Sequence, residues 1–167
     1  MEGRFVVVPA AYVFLLREGA AGTKVLLQLR QNTGYMDDHW GAGAAGHVER
    51  GETAYAAARR EAVEELGITG LDLEFRFTMQ RTQHDLPIDE RVDFFFTARS
   101  WSGDPRIVEP LKCADLRWWP LDALPDPVVP HERLALDSLG TVTTYLTFGF
   151  EPEEEQCPTT SAPSRPR

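Results

Sequence analysis

Gly46-His47-Val48-Glu49-Arg50-Gly51-Glu52-Thr53-Ala54-Tyr55-Ala56-Ala57-Ala58-Arg59-Arg60-Glu61-Ala62-Val63-Glu64-Glu65-Leu66-Gly67-Ile68 reads as a glycine-rich loop, a helix and a glycine stop. Thr53 has the hydroxyl expected of an N-cap, and Gly67 stands where a helix commonly closes in the left-handed conformation. Between them, Ala, Arg, Glu and Leu are strong helix formers. Tyr55, Ala58, Ala62 and Leu66 recur at helical spacing and are expected to face the core. Glu61, Glu64 and Glu65 are spaced i, i+3, i+4, so their carboxylates converge on another face.

Three neighbouring carboxylates repel one another in an isolated helix, and a divalent cation removes the repulsion. Hard oxygen donors of this kind suit Mg2+, with Mn2+ as a substitute, bound through a few carboxylates together with substrate phosphates. Taken alone, a Glu-x-x-Glu-Glu run is as readily a solvated acidic helix face.

The whole stretch resembles the Nudix box, Gly-x5-Glu-x7-Arg-Glu-U-x-Glu-Glu-x-Gly-U with U a bulky aliphatic. Gly46, Glu52, Arg60, Glu61, Glu64, Glu65, Gly67 and Ile68 fall in place, and Ala62, apolar but small, stands at the first U. The resemblance implies a Mg2+-dependent hydrolase that cuts nucleoside diphosphates linked to another moiety. It assigns Glu61, Glu64 and Glu65 to the metal and makes Glu61 or one of its partners the general base. A backbone carbonyl at the position of Ala45 commonly joins the metal shell in the family. The Pro-Gly pair that often precedes the first box glycine is here Ala44-Ala45, and a carbonyl needs no particular side chain. Glu52 and Arg60, opposite charges at box positions, are expected to pair, lock the loop onto the helix and orient the ligands.

Many family members add a carboxylate from a later loop. Glu109, after the Trp101-Ser102-Gly103-Asp104-Pro105 turn, is the first candidate, with Asp85, Asp89 and Glu90 as rivals. His47 is placed to touch a phosphate. Tyr35, Trp40 and Arg81 are candidates for base or sugar contacts, each as readily a core or surface residue.

The 167 residues suit one domain with a real core, taken as residues 1–150. A hydrophobic content of 43% and a charged content of 26% match an ordinary globular protein. The net charge of −9 argues against a nucleic-acid polymer as partner and for a small nucleotide handled with cations or a local arginine cluster. Cys113 and Cys157 form neither a CxxC nor a metal spacing, so a disulfide framework or zinc site is not expected, and the expected compartment is the reducing cytoplasm. No signal pattern or membrane-spanning run stands out, and a homodimer stays open.

Along the chain, Phe5–Leu16 reads as one or two strands interrupted near Pro9, Arg17–Thr23 as a turn and Lys24–Arg30 as the returning strand. Gln31–Gly46 is a loop leading to a short strand. Leu71–Arg81 and Arg91–Arg99 alternate as antiparallel strands around a polar loop. Asp115–Pro120 is a strand, Leu121–Leu124 a short helical turn, and Pro130–Leu139 a helix whose Leu134, Ala135 and Leu139 pack on the sheet. Residues 151–167 are rich in Pro, Glu and Ser and are expected to be a disordered tail. The expected fold is α/β, a Nudix-type sandwich with a mixed central sheet between helices and the box as loop-helix-loop.

Within the family, ADP-ribose enzymes often carry a proline some fifteen to twenty residues beyond the box, and many dinucleoside polyphosphate enzymes a tyrosine. Residues 81–86, RTQHDL, have neither, Pro87 lies further out, and the Ser-Gln-Pro-Trp signature of NADH-cleaving members is absent. What remains resembles the compact MutT-type members, which convert nucleoside triphosphates to monophosphates and pyrophosphate. ADP-ribose or another nucleoside diphosphate conjugate is the alternative. An isoprenoid diphosphate isomerase shares the fold but uses a cysteine upstream of the box, and the first cysteine here is Cys113. A non-catalytic nucleotide sensor usually loses box carboxylates, which are intact here.

Overall fold

A computed structural model describes residues 3–83 and 86–151. Twelve residues of β1 (Val8–Gly19) form the axis of the molecule. Its alternation is buried on both sides: Ala10, Tyr12, Phe14 and Leu16 enter one apolar core, while Ala11, Val13 and Leu15 enter a second. This is the pattern of a strand covered on both faces, with successive side chains pointing oppositely.

Around it lie β2 (Gly22–Arg30), β3 (Trp40–Ala42), β4 (Ala44–His47), β5 (Leu73–Arg81), β6 (Arg91–Ala98), β7 (Cys113–Pro120) and β8 (Tyr145–Phe148). The 8-stranded sheet runs β3-β2-β1-β6-β5-β8, with β4 added to β1 and β7 to β2. It is mixed, because β1–β6 and β5–β8 are parallel and the other pairs antiparallel. Helix α1 (Ala54–Leu66) covers one face and α2 (Pro130–Ser138) the other. The expected α/β sandwich is therefore the observed one. Among the described residues no helix is long and apolar enough to cross a membrane.

Both ends of α1 follow from the sequence. Thr53 Oγ1 accepts the Ala56 N–H at 3.1 Å. Gly67 adopts φ 67° and ψ 27°, donating to the Val63 carbonyl at 3.0 Å while Ile68 N–H reaches Ala62 at 3.4 Å. The buried stripe differs from expectation at one end. Tyr55 is 43% exposed and only leans on Phe96, whereas Ala57, Ala58, Ala62 and Leu66 are buried. The packed ridge is the i, i+4 row through Ala54, Ala58, Ala62 and Leu66, and Tyr55 stands one position off it.

Other expectations need correction. Pro9 does not interrupt the first strand: it lies near the start of β1, where the ladder with β4 is ending, and its carbonyl accepts the Val48 N–H at 2.9 Å. Phe5 and Val6 precede the strand and are 72% and 68% exposed. Leu121–Leu124 is a turn, with Ala123 N–H on the Pro120 carbonyl. The loop 82–90 contains a short 3-10 turn, Pro87–Asp89. β8 was not foreseen. The proposed tail lies outside the described residues except for Glu151, as does Asp85.

Candidate active site

Pairing with β1 sets the site. Ala10 faces His47, Ala11 faces Gly46 and Tyr12 faces Ala45, so the end of β4 is pinned in the middle of the sheet beneath α1. Gly46 is required by contact: a Cβ there would collide with the Glu61 carboxylate. On the next turn of α1, Glu65 Oε2 accepts the Ala45 N–H at 2.8 Å. The strand end is thus hydrogen-bonded to Glu65 and packed against Glu61, two of the three α1 glutamates.

Arg60 gathers the remaining charges. Its Nη2 meets Glu52 Oε1 at 2.7 Å and the His47 carbonyl at 2.9 Å, and its Nε reaches Glu52 Oε2 at 3.3 Å. Its Nη1 lies 2.6 Å from Glu61 Oε1 and 3.2 Å from Glu64 Oε2. Glu52 also accepts the Glu49 N–H at 2.8 Å. Arg60 and Glu52 therefore tie the loop to the helix, and the Arg60 and Glu49 hydrogen bonds hold the Glu52 carboxyl below its ordinary pKa.

The loop after β6 folds back onto the end of α1: Arg106 N–H donates to Leu66 O at 3.1 Å and Val108 N–H to Glu65 O at 3.2 Å. This brings Glu109 beside the box, where it pairs with Lys112 at 2.9 Å. Burial pushes the Glu65 carboxyl up to about 8, opposed by the Ala45 N–H and reinforced by the charges of Glu61 and Glu109. Burial likewise raises Glu61, against Arg60 and with Glu64 and Glu109. These carboxylates share one field. Among the described residues no three His, Cys, Asp or Glu side chains are gathered as a metal cage in the positions shown. Glu61 and Glu64 hold Arg60 between them, and Glu65 is turned onto Ala45. The donors are nevertheless all hard oxygens crowded beyond what their own charge favours, which is the chemistry a divalent cation fits. Of Glu109's rivals, Glu90 is bonded to Thr82 Oγ1 at 2.5 Å.

The predicted substrate contacts fall around one cavity of about 140 Å3 that opens at Ala45 and Gly46. Tyr35, His47 and Arg81 all line it. His47 Nε2 is 2.6 Å from Arg91 Nη1. The guanidinium can only donate, so this ring nitrogen accepts, consistent with a pKa lowered by burial and then by Arg91 and Arg81. Arg81 is 4% exposed, bound to Asp93 Oδ2 at 2.5 Å and donating to the Tyr12 hydroxyl at 3.3 Å. Trp40, in contrast, is buried in the core against Trp119.

Sequence reasoning missed Arg30, Arg91, His131 and Glu132, which complete this wall. Arg30 donates from Nε to the Tyr35 carbonyl and from Nη2 to Thr33 Oγ1, both at 3.1 Å, and so positions Tyr35. A second cavity of about 390 Å3 shares Tyr35 and His131 and adds Met36, Pro130 and Phe148, with polar Thr82 and Gln83, a mostly apolar lining. A compartment lined by Arg30, Arg81 and Arg91 beside the acidic helix, continuing into an apolar one, has the chemistry to take an anionic head with a flat ring attached.

The NUDIX domain family model matches residues 7–139. A MutT NUDIX hydrolase from Burkholderia pseudomallei superposes with a TM-score of 0.71 at 28% identity, over 81% of this chain and 99% of that one. The mutator MutT protein of Bacillus halodurans gives 0.62 at 23% identity, over 85% and 89%. The NUDIX domain of Shewanella oneidensis NrtR, in complex with ADP ribose, gives 0.63 at 19% identity, over 79% and 85%. No curated protein sequence matches. The chain belongs to the Nudix family, is similar to MutT members, and is an enzyme, a Nudix pyrophosphohydrolase.

Proposed function

We propose that this enzyme hydrolyses a nucleoside triphosphate to the monophosphate and pyrophosphate, with Mg2+ as cofactor and Mn2+ as substitute. The observation that carries the reading is the arginine-lined cavity at Ala45–Gly46, set between the acidic face of α1 and the apolar compartment of Tyr35 and Phe148.

The residues that would hold the cation are Glu61, Glu64 and Glu65, with the Ala45 carbonyl and Glu109. When bound, the cation neutralises charge on the bridging phosphates and acidifies water. Glu64, paired with Arg60 and half exposed, would be the box glutamate freest to turn to the cation, while Glu52 keeps Arg60 on the loop and so preserves the aim of Glu61. Arg91, with His47 beside it, binds phosphate oxygens and holds the chain in line for attack, while Arg30 positions Tyr35. A carboxylate of the α1 face takes the proton of the attacking water, and the P–O bond to the departing pyrophosphate breaks. Tyr35 and Phe148 hold the base, while Arg81 supports the cavity wall through Asp93 and Tyr12. Residues 1–150 act as a single catalytic domain, and the cytoplasm is the working compartment.

The test is a side-by-side measurement with nucleoside triphosphates and ADP-ribose at equal Mg2+, products resolved by chromatography. A higher kcat/KM for a triphosphate, with monophosphate and pyrophosphate as products, is expected. Cleavage of ADP-ribose to AMP with triphosphates untouched overturns the substrate and leaves the glutamate mechanism standing.

A further inference from the structure

Glu132, on the first turn of α2, is 3% exposed and lines the arginine-bearing cavity. Its Oε2 accepts the Ala42 N–H at 2.5 Å. Its other oxygen makes no hydrogen bond among the described residues and is not fully sealed, and the side chain borders the cavity. The carboxyl is held from behind as well. A Cβ at Gly41 would lie 3.1 Å from Oε1 and 3.2 Å from Oε2, so the backbone is packed against the group.

Most of the neighbouring polar groups are engaged with one another, Arg91 Nε and Asp93 Oδ1 being left without partners among the described residues. His131 Nε2 lies 3.2 Å from the Tyr12 hydroxyl, and Arg81 holds both Tyr12 and Asp93. Arg30 is committed to Tyr35 and Thr33 through two of its nitrogens. Once ionised, above about pH 7, Glu132 offers its free oxygen as a fixed acceptor awaiting a donor. An acceptor that a bound ligand covers without offering a donor costs the desolvation of the group, which makes such a position discriminating. A phosphate is repelled there and belongs at the Arg91–His47 end. The group that reaches Glu132 is a donor from the remainder of the ligand.

We infer that Glu132 is a specificity-determining residue that accepts a hydrogen bond from a neutral donor of the nucleoside, a ribose hydroxyl or a base N–H. The inference rests on the nucleotide reading of the site.

The test is calorimetric binding of nucleoside 5′-monophosphates without metal. The set comprises the adenine, guanine, hypoxanthine, cytosine and uracil ribonucleotides with their 2′-deoxy forms, against wild type and Glu132→Gln. Glutamine retains an oxygen for the Ala42 N–H and turns an NH2 toward the cavity, so it reverses the polarity at nearly constant volume. The tightest wild-type ligand is expected to lose roughly tenfold to a hundredfold in Kd in the variant. That loss is expected to vanish for the analogue lacking the donor. Its disappearance in the 2′-deoxy form assigns the ribose hydroxyl, and its disappearance on changing the base assigns the base edge.

Equal affinities in both proteins overturn the inference. So does a uniform change across the set, which is a charge effect on the phosphate, and so does a wild type that binds none of the ligands. If Glu132→Gln melts far below wild type, Glu132→Asp, which withdraws the carboxylate by one methylene, carries the same comparison. Ligand-selective binding without hydrolysis of any triphosphate in Mg2+ defeats the proposed reaction and leaves this inference intact.

Discussion

The guanidinium of Arg60 and the carboxylate of Glu52 meet through two contacts, Nη2–Oε1 at 2.7 Å and Nε–Oε2 at 3.3 Å, across the turn that joins β4 to α1. The same guanidinium reaches Glu61 and Glu64 with its remaining nitrogen. The pair therefore fixes which way the acidic face of α1 points. Glu52→Gln is expected to lower turnover by roughly tenfold to a hundredfold, because the partner that supports Arg60 beside the Glu61 and Glu64 carboxylates is weakened. Melting changes little, since both side chains are partly exposed. Parallel kinetics and thermal melting check this. A collapse in melting temperature with proportionate activity loss would make the pair merely structural.

Gly46→Ala separates activity from stability in a second way. The added methyl meets the far end of the Glu61 side chain, which can swing aside, so folding is retained. The displaced carboxylate no longer stands over Ala45–Gly46, and turnover is expected to fall at least tenfold. Wild-type kcat in this variant would show that the close approach of Glu61 to the strand has no part in the chemistry.

α1 was legible in advance because its determinants are local: Thr53 caps it, Gly67 closes it in the left-handed conformation, and the glutamates follow from helical spacing. β8 was not, because a four-residue strand with an exposed Tyr145 is defined only by its parallel pairing to β5, Thr78 with Tyr145. Glu132 was hidden for a similar reason. Pro130-His131-Glu132 resembles an exposed helix start, and its burial depends on the Ala42 N–H, 90 residues away in sequence. Tyr35, His47 and Arg81 are legible as residues but not as one wall, since that needs the pairing of β4 and β6 with β1 and of β5 with β6.

The stability of the metal-free protein should depend on pH through its buried carboxyls. Burial raises Glu132 from 4.5 to about 7 and Glu65 from 4.5 to about 8. Between the unfolded and folded values the native state holds a proton that the unfolded chain has lost. This stability is fully present below the unfolded pKa and disappears as pH rises through the folded one. His47 and His131, lowered chiefly by burial, run the other way, stabilising above their unfolded pKa and losing that contribution as pH falls. The difference between wild type and Glu132→Gln isolates one group: relative to the variant, wild type should lose melting temperature as pH rises from about 4.5 to about 7. A difference curve that is flat, or that climbs with pH, contradicts the assignment.

Glu109 sits beside the box through the backbone bonds of Arg106 and Val108 to α1. If it adds its carboxylate to the cation site, Glu109→Gln raises the Mg2+ concentration for half-maximal turnover and lowers kcat less than a box substitution does. A Mg2+ titration indistinguishable from wild type returns Glu109 to its ion pair with Lys112 alone.

The most direct test is the steady-state turnover of Glu64→Gln against wild type on the same nucleoside triphosphate in saturating Mg2+, with melting measured alongside. Glu64 is 53% exposed at its side chain and its protein contact is to Arg60 at 3.2 Å, so the substitution leaves the fold intact and touches only the acidic face. The account predicts a loss of kcat on the order of a hundredfold or more, with a melting temperature near that of wild type. A folded Glu64→Gln enzyme that turns over at close to the wild-type rate would contradict the claim that the α1 glutamates carry the hydrolysis.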